Sequence, residues 1–296
     1  MIELVPNYYH EFKCIADKCR HTCCAGWEID IDPETYALYQ REKGSLGREI
    51  MSDIVLEDGV PSFKLQGKDE RCPFLNDDNL CRLILVKGDE SLLCNICRDH
   101  PRFINMHGNV TETGLGLACE EAARIVLGAK VPFTLIRNDD SSEEQEGSEE
   151  DNLYKNRDND IRIMTDRSIP LTTRIEQVCG RSSLDSVQRA RLFLSLEILD
   201  PSWRIMLEQL EQCEAHDVYI PNETCYENLI VYYMFRYPMF TGRYALENAL
   251  LAHDLTSSLD EAYTLEDIVR RLSVEVEYSD LNPDAIAEAI DAYRTC

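Results

Sequence analysis

Apolar positions recur at helical spacing through much of the second half of the chain. Leu184, Val187, Arg191, Leu194 and Ile198 lie near a 3.6-residue period, and Pro201 follows them. Trp203, Met206, Leu207 and Leu210 form the next stripe. Residues 228–237, NLIVYYMFRY, are apolar on most sides. That pattern predicts a buried helix, with a strand as the alternative. Thr264-Leu-Glu-Asp267 predicts a capping-box start ahead of Ile268, Val269 and Leu272. Asn282-Pro283 predicts an N-cap followed by proline at the first helical position. Ile286, Ala289, Ile290 and Tyr293 would then face inward.

The first half is less regular. Asp32-Pro33 reads as a helix start with Tyr36 and Tyr39 on its face, residues 62–65 as a short strand, and residues 120–127 as helical. No internal repeat or heptad array is present. Residues 138–152, NDDSSEEQEGSEEDN, hold eight acidic residues and no basic or apolar one. Such a tract cannot bury enough surface to order itself and reads as a solvated linker. The expected organisation is mainly α. An irregular cysteine-rich lobe (1–137) and an α-helical lobe (153–296) flank the acidic linker (138–152).

Charge narrows the function classes. Thirty Lys+Arg stand against 55 Asp+Glu, a formal charge of −25 over 296 residues. This balance argues against a nucleic-acid or anionic-lipid partner. The first residues, MIELVPNYYHEF, lack the basic and apolar regions of a signal peptide, and no apolar run approaches the ~18 residues of a membrane span. The expected location is the cytoplasm.

Thirteen cysteines then change the picture, nine of them within the first 119 residues. In a reducing compartment, clustered cysteines point to metal or redox chemistry rather than disulfides. FKCIADKCRHTCCAGW supplies Cys14, Cys19, Cys23 and Cys24. RCPFLNDDNLCRL supplies Cys72 and Cys81, and LLCNICRDHPRF supplies Cys94 and Cys97. Thiolates suit soft metals, and short spacings let two ligands reach one centre.

Fourteen non-cysteine positions adjoin these eight, and six are basic: Lys13, Lys18, Arg20, Arg71, Arg82 and Arg98. None is acidic. Cations beside thiols favour the thiolate and offset the charge of a four-thiolate site. In an extended segment Cys23 and Cys24 would point to opposite faces, so the two are not expected to share one ion. One would serve a second centre or simply pack.

The spacing CxxxCxxC of radical-type clusters is absent, as are Walker, GxSxG and HExxH motifs. Gly114-Leu-Gly116 is too short a fragment to be a nucleotide loop. Cys119 reads as core, and Cys179, Cys213, Cys225 and Cys296 as isolated. His21 has ligand spacing but reads more simply as an exposed or supporting histidine. Residues 232–237 read as helix core rather than pocket lining.

The strings FKCIADKCRHTCCAGWEIDID, RCPFLNDDNLCRL and CNICRDHPRF resemble the flagellin lysine N-methylase family, within a broader eight-cysteine set of zinc- or iron-chelating proteins. The resemblance covers roughly residues 5–127 and extends more loosely into NLIVYYMFRYP. After the acidic tract the chain is shorter than the resemblance implies. The resemblance implies methyl transfer from S-adenosylmethionine to flagellin lysines and dependence on a [4Fe-4S] cluster. Its cysteines would be drawn from Cys14, Cys19, Cys23, Cys24, Cys72, Cys81, Cys94 and Cys97. Which four share a centre is left open, and the others would form a second metal site. No catalytic residue and no S-adenosylmethionine site is legible. The rival readings are a non-catalytic zinc protein with closed tetrahedral sites and an electron-transfer protein.

Overall fold

The structure is a computed structural model that describes residues 2–138, 149–182, 184–215, 220–221, 223–259 and 263–293. Most of the acidic tract, residues 139–148, and Cys296 lie outside the described residues. The strands are β1 (Ile2–Pro6), β2 (Ile54–Glu57), β3 (Val60–Phe63), β4 (Arg102–His107), β5 (Val110–Leu115) and β6 (Leu135–Arg137). The helices are α1 (Pro33–Arg41), α2 (Gly44–Ser52), α3 (Arg82–Lys87), α4 (Asn95–Asp99), α5 (Glu120–Gly128), α6 (Glu149–Met164), α7 (Leu171–Val178), α8 (Ser186–Leu194), α9 (Pro201–Glu211), α10 (Thr224–Arg236), α11 (Gly242–Ser258), α12 (Leu265–Glu277) and α13 (Asn282–Ala292). The fold is mainly α, as expected.

The chain forms two compact units: Met1–Phe12 with Phe103–Cys296, and Lys13–Arg102. Residues 103–137, grouped with the cysteines in the sequence reading, therefore belong with the helices. The reason is packing. Phe103, Leu115, Leu117, Ile125 and Phe133 share one core with α10 and α11.

The helical unit is built around α10, on which Leu229, Ile230, Tyr232, Tyr233 and Phe235 are fully buried. A helix apolar on all sides belongs at the centre of a core, which settles the helix-or-strand alternative. Its predicted neighbours form as expected. Asp200 caps α9 ahead of Pro201, and Thr264 and Asp267 close the capping box of α12. Three predicted details differ. Asn282 turns inward, its side-chain amide donating to the carbonyls of Glu197 (2.9 Å) and Glu275 (2.7 Å), while the Ser279 hydroxyl accepts from the Asn282 amide (3.2 Å). Tyr293 lies just past α13 and is 44% exposed. Ile198 lies beyond the end of α8.

A four-stranded sheet in the order β4-β5-β1-β6 was not anticipated. β1 runs parallel to β5, with Leu4 opposite Glu112, and antiparallel to β6, with Val5 opposite Ile136. Gly114 on β5 is the close-contact point, because a Cβ there would meet the Phe103 ring at 2.2 Å and the Phe235 ring at 2.8 Å. Gly114 thus serves the packing of the sheet against α10.

The cysteine unit holds α1 to α4 and the β2–β3 hairpin. Asp58 and Gly59 join the strands, both at positive φ, as a tight two-residue hairpin turn requires. The strand expected at 62–65 is shifted to Val60–Phe63. α1 begins where predicted, with the Asp32 carboxylate accepting from the Thr35 amide at 2.9 Å.

Candidate metal centre

Five of the eight cysteines meet in the core of the cysteine unit. Cys72 and Cys94 are buried in it, and Cys24, Cys81 and Cys97 pack against it with Ile29, Tyr39, Phe63 and Phe74. Local structure explains the convergence. The Cys72 amide donates to the Cys24 carbonyl at 2.8 Å, joining the first cysteine segment to the second. Asn76 Oδ1 accepts from the amides of Asp78 (3.0 Å) and Leu80 (2.8 Å), folding the loop that brings Cys81 back beside Leu75. Cys81 is the residue at the head of α3, and Cys94 stands at the head of α4.

Asp32 ties the third segment in. Its Oδ1 caps α1, while its Oδ2 accepts from the Asn95 amide at 2.8 Å. One carboxylate thus fixes the starts of two helices and the position of the Cys94–Cys97 turn. Burial works against its charge, but these amide bonds prevail and hold it below the usual carboxylate range. Beside it, the Tyr39 hydroxyl donates to the Leu92 carbonyl at 2.6 Å. Burial first, then the charges of Cys94, Cys97, Cys81 and Cys72, push the Tyr39 phenol far up.

The thiols perturb one another in both directions. Cys94 and Cys97 Sγ atoms lie 3.4 Å apart, joined by a hydrogen bond. That bond lowers Cys94, and it raises Cys97 together with burial and the Cys94 charge. Burial pushes Cys72 up to about 12, aided by Cys24, Cys81 and Cys94. Cys81 is raised mainly by burial, against hydrogen bonds from the Ile84 and Leu83 amides. Cys24 is lowered to about 7, chiefly by a hydrogen bond from Cys23, against burial, with help from Thr22 and the Arg71 charge.

The flanking cations therefore do less than their sequence positions implied. Arg82 is engaged by Glu49 (2.6 and 3.2 Å), and Arg98 donates to the Leu93 carbonyl (2.7 Å). Burial, not neighbouring charge, dominates at Cys72 and Cys81.

The remaining predicted positions are not in that core. Cys14 is exposed, and the Cys19 thiol donates to the His21 carbonyl within its own loop. Cys23 is exposed and bonds to Cys24. The two adjacent side chains were expected to diverge, but they sit in a turn, where the alternation of an extended strand does not apply. Cys119 stands at the head of α5 and is only partly buried, Cys179 is buried, and Cys213 and Cys225 are partly exposed. Sequence reasoning missed what Asp32 and Tyr39 do beyond α1. The Asp-Pro helix start was visible, but the Asn95 and Leu92 contacts lie some 60 and 50 residues away.

The donor chemistry suits a soft cation. Thiols pushed up by burial and by neighbouring thiols, as Cys72, Cys81 and Cys97 are, are stabilised by a metal that takes up thiolate charge. The 3.4 Å Cys94–Cys97 separation is close to the ~3.7 Å edge of a tetrahedron around a single ion with metal–sulfur bonds of about 2.3 Å, so the pair as placed suits a mononuclear site, and a cluster that takes one cysteine per iron would hold the two thiols further apart. Among the described residues, no three or more Cys, His, Asp or Glu side chains are placed together so as to hold a metal ion.

Known proteins carry a matching stretch. The chain is 30% identical over 127 residues to proteins named Lysine-N-methylase from Salmonella typhimurium and Salmonella choleraesuis, a match covering 41% of this chain and 31% of each relative. It is 29% identical over 127 residues to the flagellar biosynthetic protein FliU of Salmonella muenchen, covering 75% of that relative. No family model and no solved structure matches the chain. No helix among the described residues is long and apolar enough to cross a membrane. The resemblance to lysine N-methylases read from the cysteine motifs is therefore found over 41% of the chain, a stretch that spans about a third of the two methylases it matches.

Proposed function

We propose that this chain is a protein-lysine N-methylase that transfers a methyl group from S-adenosylmethionine to flagellin lysines in the cytoplasm. We further propose that it depends on a [4Fe-4S] cluster held by cysteines of the Lys13–Arg102 unit. The convergence of Cys24, Cys72, Cys81, Cys94 and Cys97 on one core carries this reading, together with the named relatives. Ligands would be drawn from these five first, with Cys14, Cys19 and Cys23 serving any second site. When bound, such a cluster supplies thiolate-balanced charge and an iron with affinity for the amino-carboxylate end of the methyl donor.

The chemistry sets demands on the protein. The accepting lysine must be neutral, because an ammonium has no lone pair, yet a free lysine near pKa ~10.4 is mostly protonated at neutral pH. The amine nitrogen forms its bond to the methyl carbon as the carbon–sulfur bond breaks. The electron pair returns to sulfur, and one N–H proton leaves to a base. The chain's own contribution is positional: Asp32 holds the Cys94–Cys97 turn, and Tyr39 braces its approach at Leu92.

The test is transfer of labelled methyl from S-adenosylmethionine to flagellin by protein purified without oxygen. Label on lysine, lost in Cys94→Ser and Cys97→Ser, is expected. No transfer, or equal transfer by the variants, contradicts the reading. Zinc in place of iron, with no transfer, would favour the non-catalytic reading.

A further inference from the structure

An open groove of about 470 Å³ lies within the cysteine unit, lined by Asp30, Ile31, Asp32, Pro33, Gly59, Val60, Pro61, Asn95 and Ile96. Three pieces of chain form it. One wall is the tip of the β2–β3 hairpin, a second is the entry to α1, and the third is the start of α4. The walls are braced against one another. The Ile31 amide donates to the Pro61 carbonyl at 2.8 Å, and Asp32 bonds to both helix starts. The groove is thus pre-formed rather than dependent on closure.

Its surface has two characters. Val60 is 48% and Ile96 38% exposed, and with Pro33 and Pro61 they give apolar walls that nothing in this unit covers. Asp30 is exposed on the same groove, and Asp32 stays anionic beside it. No basic residue lines it. Apolar walls with carboxylates match the two parts of a lysine side chain, a four-carbon stem and an ammonium head. The location adds the functional link. Asn95 and Ile96 are the two residues between Cys94 and Cys97, so the groove wall is the same turn that carries two of the core thiols.

We infer that this groove docks a lysine side chain of the polypeptide substrate, with Asp30 as the residue that receives its ammonium. The inference rests on the methylase reading and deepens it. An ammonium held by a carboxylate is kept protonated and cannot be the nucleophile. The docked lysine is therefore a neighbour of the accepting lysine, and Asp30 is a binding residue rather than a base. Substrates with paired lysines are preferred over substrates with one.

The test separates docking from transfer. Binding of a fluorescein-labelled flagellin peptide bearing two lysines is measured without methyl donor, beside the same peptide with norleucine at both positions. The intact protein is expected to bind the lysine peptide on the order of tenfold more tightly, with the preference shrinking at high salt. Asp30→Lys should abolish the preference, and Val60→Ser should weaken binding of both peptides by roughly three- to fivefold. Circular dichroism of each variant confirms folding, and Asp30→Asn serves if the charge reversal does not fold. In the transfer assay, Asp30→Asn should raise KM several-fold with kcat unchanged. Equal binding of the two peptides by the intact protein, or an unchanged preference in the folded Asp30 variant, overturns the inference. Discrimination between the peptides without any transfer would leave the groove standing and remove the methylase reading. Transfer with normal KM in Asp30→Asn would do the reverse.

Discussion

The two units of this chain stabilise themselves by different means. In the helical unit, α10 and α11 lie within an extensive apolar core, and several of its buried charges are paired. Arg189, fully buried, pairs with Asp254 (2.8 Å) and with Glu247, Arg174 with Glu227 (2.8 Å), and Arg157 with Glu112 (2.6 Å). The cysteine unit has a core of ten buried side chains among the described residues, two of them cysteines, with three more cysteines packed at its edge. Small cores of this kind usually need a disulfide or a metal to complete their stability. The difference teaches that the same residue type has two meanings here. Cys179 in the helical unit is an apolar side chain, its thiol pushed up to about 12 by burial. The five clustered thiols instead act on one another, with Cys72, Cys81 and Cys97 pushed up and Cys24 lowered by a hydrogen bond from Cys23 and by the Arg71 charge.

The largest effect expected from this contrast follows removal of metal. Treatment with a strong chelator under reducing conditions should open Lys13–Arg102 to protease, because metal binding free energy in such sites is folding free energy. The helical unit should stay resistant. Equal resistance of both units would break the comparison.

The converse probe is Arg189→Met. It leaves Glu247 and Asp254 buried without their cation and should cost about 3–5 kcal/mol in urea unfolding of the helical unit. Metal content should not change. Gly114→Ala should cost about 1–3 kcal/mol, since the added methyl meets Phe103 and Phe235, and it should again spare the cysteine unit. The smallest effect is that of Tyr39→Phe. It removes the donor to the Leu92 carbonyl and should cost about 1 kcal/mol, felt in the cysteine unit alone. A Tyr39→Phe protein with wild-type unfolding would show that this brace is dispensable.

Much of the helical unit was legible because its signals are local. The Thr264 capping box and the Trp203 stripe each lie within one or two turns of the helix they specify. The sheet was not legible. β1 pairs with β5 over a hundred residues away, and the strands are too short to show clear alternation. Two turn signals were nevertheless present, Asp58-Gly59 and Gly108-Asn109, each joining strands across two residues. The grouping of residues 103–137 with the helices also rests on long-range packing, as in the Phe103–Phe235 ring contact at 5.6 Å.

The clustering of the cysteines was legible, but not which of them share a core. Clustering and spacing marked eight cysteines, whereas burial and the Cys24–Cys72 and Asp32–Asn95 links select five of them for one core. The acidic flank of the groove was invisible for the same reason. Asp30 and Ile96 are 66 residues apart and become neighbours only after folding.

The most direct test of the account is the iron, sulfide and zinc content of protein purified without oxygen, compared with Cys94→Ser and Cys14→Ser. The account predicts about four iron and four sulfide per chain. It further predicts their loss in Cys94→Ser and their retention in Cys14→Ser. Absence of iron and sulfide from the intact protein, or full retention in Cys94→Ser, would contradict it.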